Sequence, residues 1–357
     1  MADNHRPSPL WPGVPLALAS ATLFGATTPL SKGLLAGTDP QALAGLLYLG
    51  AGIGLAAVHL ARRRFARAAP EAPLRRPDLP WLAAVILSGG VAGPLLLMLG
   101  LTLTDAASAS LLLNLEGLAT MGIAWLAFHE NVDRRLLAGA LAILLGAALL
   151  SGNGHGITVN AGAALIAGAC LAWGLDNNLT RKLSASDPVQ IAMAKGLAAG
   201  VVNIAIAAIR GASVPAAGTV LAATVIGFLG VGVSLVLFVR ALRHLGTART
   251  GAYFSLAPFI GVAVAILALH EALTWNVALA AALMGSGLWL HLAERHVHPH
   301  RHEALDHEHS HAHDDHHRHA HDGTVTEPHS HPHRHDPLRH THIHYPDLHH
   351  RHDHRQA

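Results

Sequence analysis

Long apolar stretches, separated by short polar loops, occupy most of this chain of 357 residues. A helix needs about 20 predominantly apolar residues to cross a bilayer. Ten such stretches in succession rule out a soluble protein with buried helices, and we predict an all-α integral membrane protein with about ten transmembrane helices. The stretches cover residues 14–36, 41–61, 80–102, 106–128, 135–151, 161–180, 189–209, 218–239, 247–270 and 273–291.

The composition agrees with a membrane protein. Only 13% of the residues are charged, against about 25% in a typical soluble domain. The arginines form short clusters rather than a basic face, which argues against nucleic-acid binding. The single cysteine, Cys170, excludes a disulfide within the chain and a cysteine-based metal site, and its apolar surroundings predict a small buried side chain. Since the apolar stretches show no nucleophile–base pair, we do not expect an enzyme.

Lysine and arginine are concentrated in alternate loops, and such loops stay in the cytoplasm. The opposite loops hold only Arg210, with Lys32 near the end of the first helix. The pattern predicts cytoplasmic termini and a multi-pass protein of a bacterial-type inner (plasma) membrane. The face that carries both chain ends, here called the arginine-rich face, holds Arg62, Arg63, Arg64, Arg67, Arg75, Arg76, Arg134, Arg135, Arg181, Lys182, Arg240, Arg243 and Arg249. The other is the arginine-poor face.

The two halves of the chain resemble each other. The dipeptide His-Glu ends a predicted helix at His129 and again at His270, 141 residues later, and Phe24-Gly25 recurs as Trp173-Gly174. Each half has five helices, an odd number, so the halves enter the membrane from opposite sides. We predict four regions: a short N-terminal segment (1–13), two inverted repeats (14–152 and 160–293) and a C-terminal tail (294–357).

Inverted repeats are typical of secondary transporters, whose substrate site lies near the membrane midplane between the halves. One motion can then close one side and open the other. The alternative is a duplication that persists without transport. The expected partners are the lipid bilayer and a small-molecule or ion substrate; a homodimer is an open alternative to a monomer, and no cofactor is required.

A late helix reading Gly-Ala-Tyr-Phe-Ser-Leu-Ala-Pro at 251–258, before His270-Glu271, resembles the EamA-type permeases of the drug/metabolite transporter superfamily. The earlier Phe24-Gly25 and Trp173-Gly174 fit the same pattern, and the resemblance extends over about residues 15–292. It implies a substrate-linked or proton-linked carrier of small molecules, without specifying the substrate. One departure is Glu116-Gly117, which matches Ala257-Pro258 of the second half and introduces a charge where the family usually has an apolar helix.

Ionisable groups at membrane depth are costly and are often functional. Glu116, close to Asn114 in the middle of the fourth stretch, must be protonated, paired with a cation or exposed to a wet cavity. A proton carrier or an oxygen ligand for a cation would explain it, and a hydrogen-bonded structural glutamate is the alternative. We predict that Glu116 and Asn114 line the transport cavity. Lys32 is expected to reach water by extending its side chain along the lipid.

A second polar group lies near the arginine-rich ends of the sixth and seventh stretches. Asp176, followed by Asn177 and Asn178, is about 7 Å from the helix end and Lys195 is about 9 Å from it, so the two charges can pair. These residues either line the cavity or join the two helices structurally. Pro258 is predicted to kink its helix, and the freed carbonyl groups would contribute to the same cavity.

Residues 291–357 hold 24 of the 30 histidines, mostly spaced as His-x-His. Too few apolar residues remain for a core, so we predict a tail that is disordered without ligand. Neutral imidazole is a good ligand for zinc, nickel and cobalt, and a flexible chain can fold two His-x-His pairs around one ion. The predicted ligands are His307, His309, His311, His313, His329, His331, His333, His335, His340, His342, His344, His349, His350 and His352.

Three functions are compatible with these features. In the first, a carrier of small organic solutes binds divalent metal through its cytoplasmic tail. In the second, zinc, nickel or cobalt is itself exported and the tail delivers or senses the ion, although the apolar stretches hold few ligands for a dehydrated cation. In the third, the protein is a membrane-anchored metal buffer without transport, which the inverted repeat argues against.

Overall fold

The computed structural model describes residues 13–65, 74–128, 134–151, 160–180, 183, 186–292, 297–301, 305–311, 329–335 and 339–343. Two π-helical segments, Ile86–Ala92 and Phe228–Val233, connect α3 to α4 and α10 to α11. The helices are α1 (Gly13–Leu34), α2 (Pro40–Phe65), α3 (Leu79–Val85), α4 (Gly93–Leu103), α5 (Ala106–Leu112), α6 (Leu115–Phe128), α7 (Arg134–Ser151), α8 (Ala161–Thr180), α9 (Pro188–Ile209), α10 (Ala217–Gly227), α11 (Ser234–Phe254), α12 (Ala257–Leu269) and α13 (Trp275–Leu292).

The ten predicted transmembrane segments are all helical. In chain order they correspond to α1, α2, α3 with α4, α5 with α6, α7, α8, α9, α10 with the first part of α11, the last part of α11 with α12, and α13. Among the described residues, seven segments are long and apolar enough to span a membrane by length and composition: Gly13–Leu34, Pro40–Arg62, Arg76–Leu103, Ala106–Ile123, Arg134–Ser151, Val189–Ile209 and Ala217–Ala241. The chain is therefore a multi-pass membrane protein.

Helix α11 joins two predicted segments without the loop expected between residues 239 and 247. Its helical assignment runs from Ser234 to Phe254. The rings of Phe238 and Phe254 nevertheless lie 4.9 Å apart, whereas a straight helix would separate these residues by about 24 Å. The chain thus reverses direction inside α11, and the number of membrane segments is unchanged.

The two repeats exchange helices about a pseudo-twofold axis. From the first repeat, α1 packs against α11 and α12 of the second; from the second, α8 packs in the same way against α4 and α6 of the first. The pairs α2 with α9 and α7 with α13 each join equivalent helices. The prediction of two inverted five-helix repeats is confirmed.

The main apolar core lies where the two repeats meet. Its fully buried side chains include Leu43 of α2, Leu101 of α4, Leu111 of α5 and Ile166 of α8. Cys170 is 1% exposed within the same core, as its apolar surroundings predicted. The helices that carry polar groups are therefore held together by apolar packing along most of their length.

Close helix packing explains the recurring pair of an aromatic residue and glycine. A methyl group added at Gly25 of α1 would lie 2.3 Å from the carbonyl oxygen of Ala257 in α12. A methyl group added at Gly174 of α8 would lie 2.8 Å from Cβ of Ala119 in α6. Small residues let membrane helices approach each other closely. The two glycines therefore play the same role at equivalent contacts of the two repeats.

Gly50 of α2 offers a test of this packing. A methyl group there would lie 2.3 Å from the carbonyl oxygen of Thr224 in α10, a backbone atom that cannot move aside alone. We expect Gly50→Ala to destabilise the protein by about 1–3 kcal/mol, the usual cost of overpacking, measured by thermal unfolding in detergent. The control is Gly122→Ala in α6, where an added methyl group meets nothing within 4 Å. If Gly50→Ala and Gly122→Ala are equally stable, the close contact between α2 and α10 is contradicted.

Within the described residues of the histidine-rich tail, four short segments have an extended backbone. Strand β1 (Val297–Arg301) pairs antiparallel with β4 (Arg339–Ile343), and β2 (Leu305–His311) pairs with β3 (His329–His335). The physical reason is the His-x-His alternation, whose period of two residues is that of a β-strand. Predicted ligands His313, His344, His349, His350 and His352 lie outside the described residues.

Candidate functional site

Glu116 lies at an interruption of a membrane helix. Helix α5 ends at Leu112, a turn follows, and Glu116 stands in the first turn of α6. The second repeat breaks at the matching place, where α11 ends and Pro258 stands in the first turn of α12. Pro258 therefore begins a helix and does not kink one, because a proline in the first turn has no helical amide bond to lose. Broken helices that face each other are common at the substrate sites of inverted-repeat transporters.

A hydrogen-bonded polar cluster joins Glu116 to α8. The side-chain amide of Asn177 donates to Glu116 Oε1 at 3.0 Å and to Thr120 Oγ1 at 3.1 Å. Thr120 in turn donates to the carbonyl oxygen of Glu116 at 2.9 Å. The amide of Asn178 donates to the carbonyl oxygen of Thr120 at 3.1 Å. Asn177 is exposed and Glu116 is half-buried, so the cluster faces open space along one side.

An ion pair between Asp176 and Lys195 joins α8 to α9, as the sequence predicted. Asp176 is 5% exposed. A methyl group added at Gly89, in the π-helical segment, would lie 2.2 Å from Asp176 Oδ2. The hydroxyl group of Thr180 is also within reach of Asp176, at 3.4 Å. The carboxylate is thus enclosed by three helical segments and has Lys195 as its cationic partner.

The π-helical segment Ile86–Ala92 presents carbonyl groups to side chains of neighbouring helices. The carbonyl oxygen of Gly89 accepts hydrogen bonds from the Tyr48 hydroxyl at 2.8 Å and from Trp173 Nε1 at 3.0 Å. The carbonyl oxygen of Gly90 accepts one from the Asn203 amide at 3.1 Å. Such bonds satisfy backbone groups that an irregular helix leaves free in a membrane.

Helix α8 packs against the first π-helical segment, and α1 packs against the second in the equivalent way. Only the first of these two contacts carries the charges of Asp176 and Lys195. By the repeat alignment, Thr27 of α1 corresponds to Asp176, and Gly230 of the second π-helical segment corresponds to Gly89. The packing is the same, because a methyl group added at Gly230 would lie 1.9 Å from Thr27 Oγ1. The α1 side therefore has a hydroxyl group where the α8 side has a carboxylate. The polar site is asymmetric within a symmetric scaffold.

The structure brings together five of the seven predicted cavity residues. Glu116, Asp176, Asn177, Asn178 and Lys195 lie on the adjacent helices α6, α8 and α9.

Asn114 and Pro258 lie apart from this cluster. The amide of Asn114 donates to the carbonyl oxygen of Leu111 at 2.8 Å and contacts Met284 Sδ of α13 at 3.7 Å. Pro258 belongs to α12, which packs against α1 and α5. Asn114 satisfies the break between α5 and α6, and it does not join the Glu116 cluster.

Sequence reasoning did not identify Tyr48, Trp173 and Thr120 as parts of this site. Tyr48 and Trp173 carry their polar groups on largely apolar side chains, and Thr120 lies in an apolar helix. Composition therefore gives no sign that these residues belong to a polar site. The one available sign is Gly89-Gly90 in the middle of an apolar stretch, since paired glycines are common where a helix is irregular. The prediction for Lys32 is also wrong: its amine donates to the carbonyl oxygens of Leu101 and Thr104 instead of extending to water.

The arginine-poor face is closed by contacts between the repeats. Helix α5 packs against α12 there, and a methyl group added at Gly261 of α12 would lie 2.6 Å from Ser110 Oγ of α5. At the same face, the carboxylate of Glu271 accepts hydrogen bonds from the backbone amides of Ala106 and Ala107, both at 2.8 Å. A pocket of about 380 Å³ at this place is lined by residues that include Asp105, Ser108, Glu271 and Asn276.

The arginine-rich half of α6 has unfilled space beside several of its glycines. By symmetry α6 would pack against the last part of α11 as α5 packs against α12, but the side chains of residues 242–249 lie outside those that the structure describes. Methyl groups added at Gly117 and Gly122 of α6, or at Gly251 of α11, would meet nothing within 4 Å. Gly117 directly follows Glu116, and Asn177 is exposed, so the polar cluster borders unfilled space among the described residues.

Within the described residues, no group of three or more histidine, cysteine, aspartate or glutamate side chains could hold a metal ion. The predicted tail ligands of β2, β3 and β4 are placed by their backbone register alone. His307 is opposite His333, His309 is opposite His331, and His311 is opposite His329. In the other ladder, His340 and His342 are opposite His300 and His298.

Comparison with known proteins agrees with this architecture. A sequence model of the EamA-like transporter family matches residues 11–152 and 160–293. An uncharacterized transporter from Methanothermobacter thermautotrophicus is 28% identical over 290 residues, which cover 77% of this chain and 84% of that protein. One solved crystal structure superimposes with a TM-score of 0.58 at 20% identity, covering 78% of this chain and 95% of that one, and shows the same fold.

Proposed function

This chain belongs to the EamA-like transporter family, and we propose that this membrane transporter moves small organic solutes by alternating access between its two repeats. The observation that carries the proposal is the half-buried carboxylate of Glu116, bonded to the exposed amide of Asn177 at the break between α5 and α6. A midplane site between inverted repeats is where such carriers bind their substrate.

The chemistry of the cluster suits a solute with a cationic or hydrogen-bond-donating group. Glu116 offers a carboxylate oxygen that can bind an ammonium group or a proton, and Asn177 offers both a donor and an acceptor. Asp176 and Lys195 neutralise each other nearby, so they hold the cavity wall in place and leave Glu116 as the group that exchanges its partner. Organic solutes are therefore the favoured cargo, with a proton as coupling ion.

The orientation of the protein follows from its loops. Positive loops stay in the cytoplasm, which assigns the arginine-rich face and both termini to the cytoplasm of a bacterial-type cell. In this proposed orientation, the unfilled space beside Glu116 faces the cytoplasm. From that side the carrier would load a solute for export or release an imported one.

A reconstitution experiment tests the proposed function. Purified full-length protein is placed in vesicles that contain a pH-sensitive dye, and pools of small organic solutes are added under a proton gradient. We expect at least one pool to produce solute-dependent proton movement that empty vesicles lack. A protein that moves no solute and no ion under any gradient would refute the carrier assignment.

We also propose that the tail binds divalent metal on the cytoplasmic side. Opposite residues of an antiparallel pair are about 4.5–5.5 Å apart, a spacing that lets two imidazoles reach one zinc, nickel or cobalt ion. The register sets histidine opposite histidine at three alternate positions of β2 and β3. Either the bound ion regulates the carrier, or the tail supplies metal as cargo. The first is favoured, because the Glu116 cluster has too few ligands for a dehydrated cation.

Metal binding by the tail can be measured without knowledge of the transported solute. Equilibrium dialysis against zinc should show tight binding to the full chain and loss of most of it after truncation beyond Arg295. We expect His309→Ala combined with His331→Ala to weaken zinc binding at least tenfold, since removing one ligand pair leaves the ion under-coordinated. The matched control is His316→Ala with His319→Ala, which removes as many histidines from outside the ladders. Equal effects of the two double variants would rule out binding by cross-strand pairs.

A further inference from the structure

The hydrogen bonds of the Glu116 cluster fix which way the side-chain amide of Asn177 faces. The hydroxyl group of Thr120 has one hydrogen to donate, and it donates that hydrogen to the carbonyl oxygen of Glu116 at 2.9 Å. Thr120 Oγ1 can therefore only accept in its 3.1 Å contact with Asn177. The amide nitrogen of Asn177 must face Thr120, and its oxygen lies on the other side of the group.

Both N–H groups of the Asn177 amide are used inside the cluster. One bonds Thr120, and the other bonds Glu116 Oε1 at 3.0 Å. Of the donor and the acceptor that Asn177 offers, only the acceptor, Oδ1, is left for a solute. Among the described residues, no donor reaches Asn177 Oδ1 or Glu116 Oε2. Since Asn177 is exposed and Glu116 is half-buried, a solute can approach both oxygens.

The neighbouring Asn178 holds this part of α8 against α6. Its buried amide donates to the carbonyl oxygen of Thr120 at 3.1 Å and to that of Gly174 at 2.8 Å. The close contact between Gly174 and Ala119 lies beside these bonds. The two free oxygens are thus carried by helices whose relative position is already fixed, and a preorganised site loses little freedom when it binds a ligand.

The two free oxygens define the chemistry of the group that fits between them. Both are acceptors, and one belongs to a carboxylate, so the matching group carries a positive charge and at least two N–H donors. A primary ammonium has three donors and a guanidinium has five. A quaternary ammonium has none, and proteins bind it on aromatic faces instead. A dehydrated divalent cation requires more ligands than this cluster supplies.

We propose that the Glu116 cluster binds the primary ammonium or guanidinium end of an organic solute. Glu116 Oε2 and Asn177 Oδ1 are its two acceptors. Thr120 is a positioning residue, which orients the Asn177 amide without touching the solute. This inference rests on the proposed function, and it narrows the cargo from organic solutes in general to those with an end group that donates several N–H bonds.

A binding measurement tests this cargo class without any transport. A bound ligand raises the unfolding temperature of the protein, so thermal unfolding of the full-length chain in detergent gives a dissociation constant for each probe. Butylammonium and butylguanidinium are compared with butyltrimethylammonium, which has the same charge and chain but no N–H group. We expect at least one N–H probe to bind about tenfold tighter or more, as for a hydrogen bond to a charged group. The tighter of the two identifies the preferred end group.

Two variants separate hydrogen bonding from the larger size of the trimethyl probe. Asn177→Leu removes Oδ1 at similar volume, so the preference for N–H probes should fall toward one, whereas exclusion by size would persist. Thr120→Val lets the Asn177 amide rotate, and it should also reduce the preference. The matched control is Thr22→Val in α1, where the exposed hydroxyl group bonds the carbonyl oxygen of Leu18 at 2.8 Å. This control should leave the preference unchanged.

The contrary outcomes are distinct from those of the vesicle experiment. Equal binding of the three probes, or no binding of either N–H probe, would overturn the proposal. An unchanged preference in Asn177→Leu would also overturn it, because size alone would then explain the selectivity. If the N–H probes bind selectively and vesicles move no solute, the binding site stands and the carrier assignment fails. If vesicles move neutral solutes and the N–H probes do not bind, the carrier stands and the cargo class is wrong.

Discussion

Replacing Glu116 with glutamine is expected to reduce solute transport by at least tenfold and to remove its dependence on pH. Glutamine keeps the size of the side chain and the hydrogen bond to Asn177, but it can neither bind a proton nor balance a cation. A hydrogen bond to a charged group contributes about 1.5–3 kcal/mol, which corresponds to a factor of about ten or more. The loss should therefore appear in transport with the fold intact.

The measurement compares the small-solute content of cells and of their medium, together with cellular zinc, nickel and cobalt. The cells express the full chain, Glu116→Gln or a truncation after Arg295. The matched control is Glu308→Gln, the same chemical change made in strand β2 of the tail. We expect at least one organic solute to differ between the full chain and Glu116→Gln, and to be unaffected by Glu308→Gln. If the cellular content of a metal differs between the full chain and Glu116→Gln instead, that metal is the cargo.

Replacing Lys195 with methionine is expected to destabilise the protein by about 3–5 kcal/mol. The substitution leaves the carboxylate of Asp176, which is 5% exposed, without its cationic partner. Removing one member of a buried ion pair costs this much because the remaining charge is buried alone. Thermal unfolding of the purified protein in detergent gives the loss directly.

The double variant with Asp176→Asn and Lys195→Met is the control for that experiment. It removes both charges, and it should recover most of the lost stability, since neutral replacements of buried ion pairs are often tolerated. A double variant as unstable as Lys195→Met would show that the pair is not the source of the effect. If the double variant is stable and still transports, the pair is structural, as its mutual neutralisation suggests.

The sequence was sufficient to predict the features that depend on periodicity and symmetry. Ten apolar stretches became ten helical membrane segments, and the repeated Phe24-Gly25 and Trp173-Gly174 mark equivalent close contacts. The pairing of Asp176 with Lys195 followed from their depth in neighbouring helices, because helical rise converts residue number into distance. The asymmetry at Glu116 was evident because the matching position of the second repeat is Ala257.

Features that depend on backbone irregularity were not predictable. The π-helical segments that present Gly89 and Gly90 to Tyr48, Trp173 and Asn203 have ordinary apolar sequences. The helical assignment across the reversal in α11 was also unexpected, because Arg240, Arg243 and His244 predicted a loop at this place. The Lys32 amine can donate hydrogen bonds either to water beyond the helix end or to free carbonyl groups at the end of α4. Only the tertiary structure decides between these partners.

The state of the cavity also lay beyond the sequence. Which half of the helix pair is closed depends on a balance between two similar sets of contacts, and the symmetric motifs support both. The closed α5–α12 contact and the Glu271 bonds identify the closed face in this structure. The same symmetry that makes the fold predictable therefore conceals its conformational state.

Accessibility of a cysteine beside Glu116 tests the central claim most directly. Gly117→Cys, in a Cys170→Ala background, adds a thiol where a methyl group would meet nothing within 4 Å. If the Glu116 cluster lines a water-filled cavity, a charged maleimide that cannot cross membranes will modify this thiol readily from the arginine-rich face and much more slowly from the arginine-poor face. If the thiol reacts only with a lipid-soluble maleimide, Gly117 faces the bilayer and the cavity assigned to Glu116 does not exist.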